Sequence, residues 1–164
     1  MKNDAFTNEV FIEDSFSAPV ERVFRAWTDP EKLVKWFAPE GCTIRFKMLN
    51  IEEGGQFHSC ISNPQYGDCW CIGEYKGVTP NSRIVFTMIN ADENGKPVNP
   101  ADIGMDPDWP GETRVTGTLL EEDGKTKLQL RQTVLHELAK KTGAYPSWLQ
   151  MLKNMRAMVH DNNQ

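Results

Sequence analysis

The chain has 164 residues, 39% of them apolar and 25% charged, with a formal net charge of −5. That length suits one domain, 1–164, with a substantial core, and the mild, interspersed acidity offers no basic stripe for a nucleic-acid backbone. No apolar run approaches the roughly 20 residues of a membrane-spanning helix, and residues 1–8 are too polar for a signal-peptide core, so membrane insertion is not expected and the expected location is the cytoplasm. There the four cysteines, Cys42, Cys60, Cys69 and Cys71, are expected as free thiols rather than as a disulfide framework.

Residues 8–16 alternate imperfectly, with Phe11, Ile12 and Phe16 marking a strand. Ser17 fits a cap and Pro19 a first turn, after which Val20, Val23, Phe24 and Trp27 recur at three- and four-residue steps and share a buried helical face. Thr28-Asp29-Pro30-Glu31 restarts the helix in one of two ways: Thr28 with Glu31 fits a capping box, and Asp29 before Pro30 fits a cap and first helical position. Leu33, Trp36 and Phe37 give this second short helix its apolar side, and Pro39 with Gly41 stops it.

From Cys42 the pattern turns to β. Strands are predicted over 43–49, 54–62, 69–78 and 83–90, separated by short Gly, Pro, Asn and Asp breaks that favour antiparallel neighbours. Gly54, Gly55, Gly73 and Gly77 lie at or within strands, a cost that a strongly curved sheet explains. Residues 91–111 hold four prolines and little periodicity, and read as a long surface loop inside the domain because strands resume directly after it. Segments 112–121 and 125–134 form a hairpin in which Leu128, Leu130, Gln132 and Val134 share one face. Residues 135–142 add a helical turn before Gly143. The last element, about 146–160, carries Trp148, Met151, Leu152, Met155 and Val159 as one stripe on a helix about 22 Å long. The inner face of the sheet is the one large partner for that stripe, so the expected fold is α+β, a long helix closing a curved antiparallel sheet around an apolar space.

The block running from Phe16-Ser17-Ala18-Pro19-Val20 through Trp27-Thr28-Asp29-Pro30-Glu31 to Trp36-Phe37-Ala38-Pro39 resembles the opening signature of the AHSA-type proteins. These belong to the START-like, birch-pollen-allergen-like helix-grip superfamily, also called SRPBCC. The similarity continues through Gly54-Gly55, the strand with Gly73, Pro80 and the 83–87 strand, 115–119, 126–130 and Trp148, Leu152 and Met155. It implies seven antiparallel strands, two short helices between the first and second, and the long helix last. It also implies a cavity of the kind that holds lipids, sterols or polyketides in relatives, some of which are cyclases or hydratases; one relative is the C-terminal domain of a co-chaperone that activates the ATPase of the ninety-kilodalton heat-shock protein. The Pro-rich segment departs from the compact family pattern and is placed to reshape a cavity mouth. A separate N-terminal domain like the one with which that co-chaperone engages its partner is not expected.

The leading expectation is therefore binding of an apolar or amphipathic small molecule, with a co-chaperone-like interaction module or a cyclase-like enzyme as alternatives. The partners to consider are such a ligand, a chaperone and a second copy of the chain. Candidate pocket residues are Trp148, Leu152 and Met155 on the helix, faced by Phe46, Phe57, Tyr75, Phe86 and Leu130 on the sheet, with strand parity open by one residue. Tyr75, Thr87 and Gln132 are candidates for orienting a ligand, and Met48, Met88, Met105, Met151, Met155 and Met158 for a pliable lining. Trp27, Trp36 and Phe37 read as core. His58 lies within a strand and has a useful acid–base range, but no partner set accompanies it, so no catalytic residue is assigned. Cys69-Trp70-Cys71 places two thiols on one strand face without completing a four-ligand set, and Asp102, Asp106 and Asp108 do not follow calcium-loop spacing. No metal site and no cofactor are expected.

Overall fold

The computed structural model describes residues 8–160, leaving 1–7 and 161–164, and with them most of the polar N-terminal stretch, outside the described residues. In chain order the elements are β1 (Glu9–Phe16), α1 (Val20–Thr28), α2 (Pro30–Trp36), β2 (Thr43–Leu49), β3 (Gln56–Asn63), β4 (Gly67–Thr79) and β5 (Arg83–Ala91), then a 3-10 turn (Pro100–Ile103), β6 (Glu112–Glu122), β7 (Lys125–Leu135), α3 (His136–Thr142) and α4 (Ala144–Val159). One seven-stranded sheet runs in the order β1-β7-β6-β5-β4-β3-β2, each pair antiparallel. The two short helices carry the chain from one edge strand, β1, to the other, β2. This is the helix-grip arrangement the sequence predicts.

Local chemistry settles the junctions. Asp29, not Thr28, caps α2: its carboxylate accepts the Glu31 amide at 3.0 Å, while the Thr28 hydroxyl turns back to donate to Phe24 O at 3.0 Å. Ser17 does not cap α1, which starts after Pro19 with no side-chain cap. Its amide instead donates to His160 Nε2 at 2.7 Å. The last helix begins at Ala144, two residues before the predicted start, because Gly143 at φ 89° ends α3 and opens α4 together. Pro146 then falls in the first turn, where a missing amide leaves no intrahelical bond unmade. β4 starts at Gly67 rather than at 69, since Asn63 Oδ1 accepts the Gln65 and Tyr66 amides and closes a turn that keeps Asn63 and Gly67 in register.

The stripe on α4 is buried as expected, with Trp148, Met151, Leu152, Met155 and Val159 all inside. Its far end is fastened to β1 and α1: Arg22 Nη1 donates to Val159 O at 2.8 Å, and Arg156 pairs with Asp14 while lying over the Phe16 ring. Among the described residues no helix is long and apolar enough to cross a membrane.

Sheet curvature depends on close packing at Gly73. Phe57 pairs with it across β3 and β4, and a Cβ at Gly73 would stand 2.0 Å from Thr87 O and 2.4 Å from the Phe57 ring. Gly77, four residues on, has only ordinary contact at its Cβ position, 3.8 Å from Val85 Cγ2. Gly73→Ala should therefore lower unfolding free energy by roughly 3 kcal/mol or prevent folding. Gly77→Ala should stay within about 0.5 kcal/mol of the parent. Chemical denaturation of both variants checks this, and equal losses would remove close packing as the reason for Gly73.

Candidate ligand-binding cleft

A cleft of about 850 Å³ lies between the first half of α4, the adjoining ends of β3, β4 and β5, and the 91–111 segment. That volume is in the range of small-molecule sites. Trp148 and Met151 descend from α4, with Ala144 and Ser147 beside them on the helix. Phe37 and Cys42 come from the chain leaving α2, and Ile61, Cys69, Trp70 and Met88 from the strands. The Pro-rich segment supplies the opposite wall with Val98, Ile103, Met105 and Trp109. It is an ordered surface loop: Ala91 bridges Pro97, Val98 N–H donates to Asn90 O, and Met105 N–H donates to Pro100 O behind the 3-10 turn. Tyr66 stands 85% exposed at the mouth.

One polar group reaches the cleft from the sheet interior. Gln132 Oε1 accepts from Trp148 Nε1 at 2.9 Å, and its amide nitrogen donates to Thr113 Oγ1 at 3.1 Å, all three residues being buried. This chain fixes the orientation of the Trp148 ring. At the mouth stand Asp68, Asp92 and Glu93. The Ser62 hydroxyl, followed by Arg45, holds Asp68 below its usual carboxylate range, and the Lys96 and Asn94 amides do the same for Asp92. Both remain ionised at neutral pH.

The predicted pocket residues divide into three groups. Trp148 lines the cleft. Phe46, Phe57, Tyr75 and Phe86 point inward with the parity taken from the sequence, but they surround a separate void of only about 20 Å³, together with Trp27, Leu33, Phe37 and Ser59. That is room for about one water. Their rings fill the space themselves: Phe57 meets Tyr75 at 5.8 Å and Phe86 at 6.0 Å between centroids, and Phe86 meets Phe37 at 6.3 Å. Burial raises the Tyr75 phenol far above its ordinary value. Leu130, Leu152 and Met155 are buried in the core and line neither space. Phe37 borders both spaces and contacts Trp148 at 5.7 Å, so it stands as the partition between them.

The other candidates also separate. Of the methionines, Met88, Met105 and Met151 line the cleft, and Met48, Met155 and Met158 do not. Gln132 reaches it, whereas Thr87 faces a shallow depression elsewhere and accepts the Glu74 amide at 3.1 Å. His58 lies in that same depression, its ring tilted 47° against Trp70 with Nε2 3.0 Å from Asp92 O, and holds the 92–95 turn against the sheet. Among the described residues no three His, Cys, Asp or Glu side chains are grouped to hold a metal ion. Val98, Ile103 and Trp109 were missed because the segment has no periodicity; a Trp in a Pro-rich, otherwise polar stretch was the available signal.

Comparison with known proteins agrees with the fold. No curated protein matches the sequence. A solved protein from Chromobacterium violaceum is 26% identical, with a TM-score of 0.78 over 94% of this chain and 99% of that one. One from Arthrobacter aurescens, 19% identical, has a TM-score of 0.80 over 96% and 89% of the two chains, and the AHSA1 protein of Silicibacter pomeroyi, 20% identical, has 0.73 over 93% and 97%. Residues 17–160 match the family described as "Activator of Hsp90 ATPase homolog 1-like protein", and the chain belongs to that family.

Proposed function

We propose that the protein binds an apolar or amphipathic small molecule in the cleft between α4, the strand ends and the 91–111 wall. The observation that carries this reading is the combination of about 850 Å³ of space with Trp70, Trp109, Trp148 and Phe37 around it. Desolvating such walls favours binding by roughly 25 cal/mol for each Å² of apolar area removed from water. The locked Gln132–Trp148 pair supplies a rigid floor, which reduces the ordering cost of binding.

A second reading rests on the family itself. The family description names an activator of the Hsp90 ATPase, and this favours a co-chaperone-like interaction module more directly than it favours any ligand. The two readings differ in what matters: the cleft interior for the first, an outer surface for the second.

Ala144→Phe separates them, since it places a ring in the cleft without touching the buried stripe of α4. The parent should bind the neutral fluorophore N-phenyl-1-naphthylamine saturably at one site, and the variant should lose at least tenfold in affinity with an unchanged melting temperature. Adding both proteins to a purified ninety-kilodalton chaperone and measuring its ATPase tests the alternative. Stimulation by parent and variant alike would support the interaction module, and its absence would sink that reading.

Thiol reactivity gives an independent check. Burial pushes the Cys71 thiol up to about 12, and Cys60 is fully buried. At pH 8 Cys71 therefore stays a thiol and Cys60 is closed off from reagent, so neither should alkylate while the protein is folded. Cys42 is partly buried and Cys69 exposed, and both line the cleft. Burial, and to a lesser degree Cys60, also raises Cys69, so its alkylation should be slow yet measurable. Saturating N-phenyl-1-naphthylamine should slow labelling of Cys42 and Cys69 at least fivefold by mass spectrometry. Unchanged rates would place the fluorophore outside the cleft.

A further inference from the structure

The charge around the cleft is one-sided. Segment 91–111 carries five acidic residues, Asp92, Glu93, Asp102, Asp106 and Asp108, against one base, Lys96, which gives −4 of the chain's formal −5. Three carboxylates, those of Asp68, Asp92 and Glu93, border the cleft, and none of its described lining residues is Lys, Arg or His. Three nearby bases are engaged outside the lining, and a fourth, Lys96, lies close enough to Asp92 to help hold it ionised. Arg45 pairs with Asp68 at 3.5 Å, Lys47 donates to Glu93 O at 2.5 Å, and Lys141 pairs with Asp106 at 3.3 Å.

Resting on the ligand-binding reading above, we propose that the cleft selects a ligand with an apolar, preferably aromatic, body and a cationic amine head, and rejects anionic amphiphiles such as fatty acids. The acceptors for an amine are in place. Asp92 uses Oδ1 for the Asn94 and Lys96 amides, which leaves Oδ2 for another donor, and the Glu93 carboxylate has no partner among the described residues. The Trp70 ring is already taken by Arg45 at 5.3 Å and Lys47 at 5.0 Å from its centroid, so the free carboxylate oxygens, not cation–π contact, are the recognition elements for the amine. An anionic head at the same mouth would face three carboxylates with no unpaired base among the lining residues. At this solvent-open mouth the penalty is like-charge repulsion.

A matched set of probes with one apolar body tests this: 2-(1-naphthyl)ethylamine, 2-(1-naphthyl)ethanol and 3-(1-naphthyl)propanoate, titrated by calorimetry at pH 7.5. The amine should bind at least tenfold tighter than the acid, with the alcohol between, and 0.5 M NaCl should shrink that ratio because the mouth is open to solvent. Asp68→Asn with Glu93→Gln should bring the amine-to-acid ratio below threefold and leave the alcohol unchanged. If the alcohol binds and the acid equals or exceeds the amine, or the double variant keeps the full ratio, the charge selectivity is wrong and the cleft reading stands. If none of the three binds, or binding survives Ala144→Phe, the cleft reading fails and takes the selectivity with it.

Discussion

A curved seven-stranded sheet encloses more volume than one helix can fill, and the rest of the molecule follows from how that surplus is divided. At one end it is consumed by rings. Phe57, Tyr75 and Phe86 from the sheet close against Trp27 and Phe37 from the short helices, until about 20 Å³ remains. At the other end no comparable set of large inward side chains exists, and the space stays open as the cleft. Phe37 marks the boundary, since it touches Phe86 on the filled side and Trp148 on the open side.

This division explains which parts of the site could be read from the sequence. The strands, the two short helices and the apolar stripe of α4 are written in periods of 2 and 3.6, and the inward parity of Phe46, Phe57, Tyr75 and Phe86 follows from the same rule. Periodicity reports which face a side chain takes. It does not report whether that face meets empty space or another ring, because that depends on how residues far apart in the chain converge. Phe57, Phe86 and Phe37 sit on three different elements, and only their meeting makes that end of the grip solid. The α4 stripe is ambiguous in the same way: Trp148 and Met151 near its start reach the cleft, and Leu152, Met155 and Val159 are core.

The Pro-rich segment was legible as an aperiodic loop placed to reshape a cavity mouth, but its path was not. Its fixed geometry comes from contacts that no period encodes: an Ala91–Pro97 bridge, Asx turns at Asp92, Asn99 and Asp106, and the His58 ring holding Asp92 O. Proline suits such a wall because it reduces the freedom lost when a long connection is ordered. The segment therefore adds Trp109, Ile103 and Val98 to the cleft without drawing on the strands.

The two walls of the cleft are then set by independent constraints. Trp148 and Gln132 belong to the buried hydrogen-bonded interior, where a change of shape or polarity disturbs the packing of β6, β7 and α4 together. The 91–111 wall has its charges in solvent and its turns satisfied locally, so substitutions such as Glu93→Gln or Val98→Ala alter the cleft while leaving the sheet intact. On the ligand-binding reading proposed above, selectivity is thus separable from the stability of the fold. Two of the three carboxylates at the mouth, Asp92 and Glu93, belong to that segment, which carries −4 of the chain's formal −5, and the third, Asp68, stands at the start of β4.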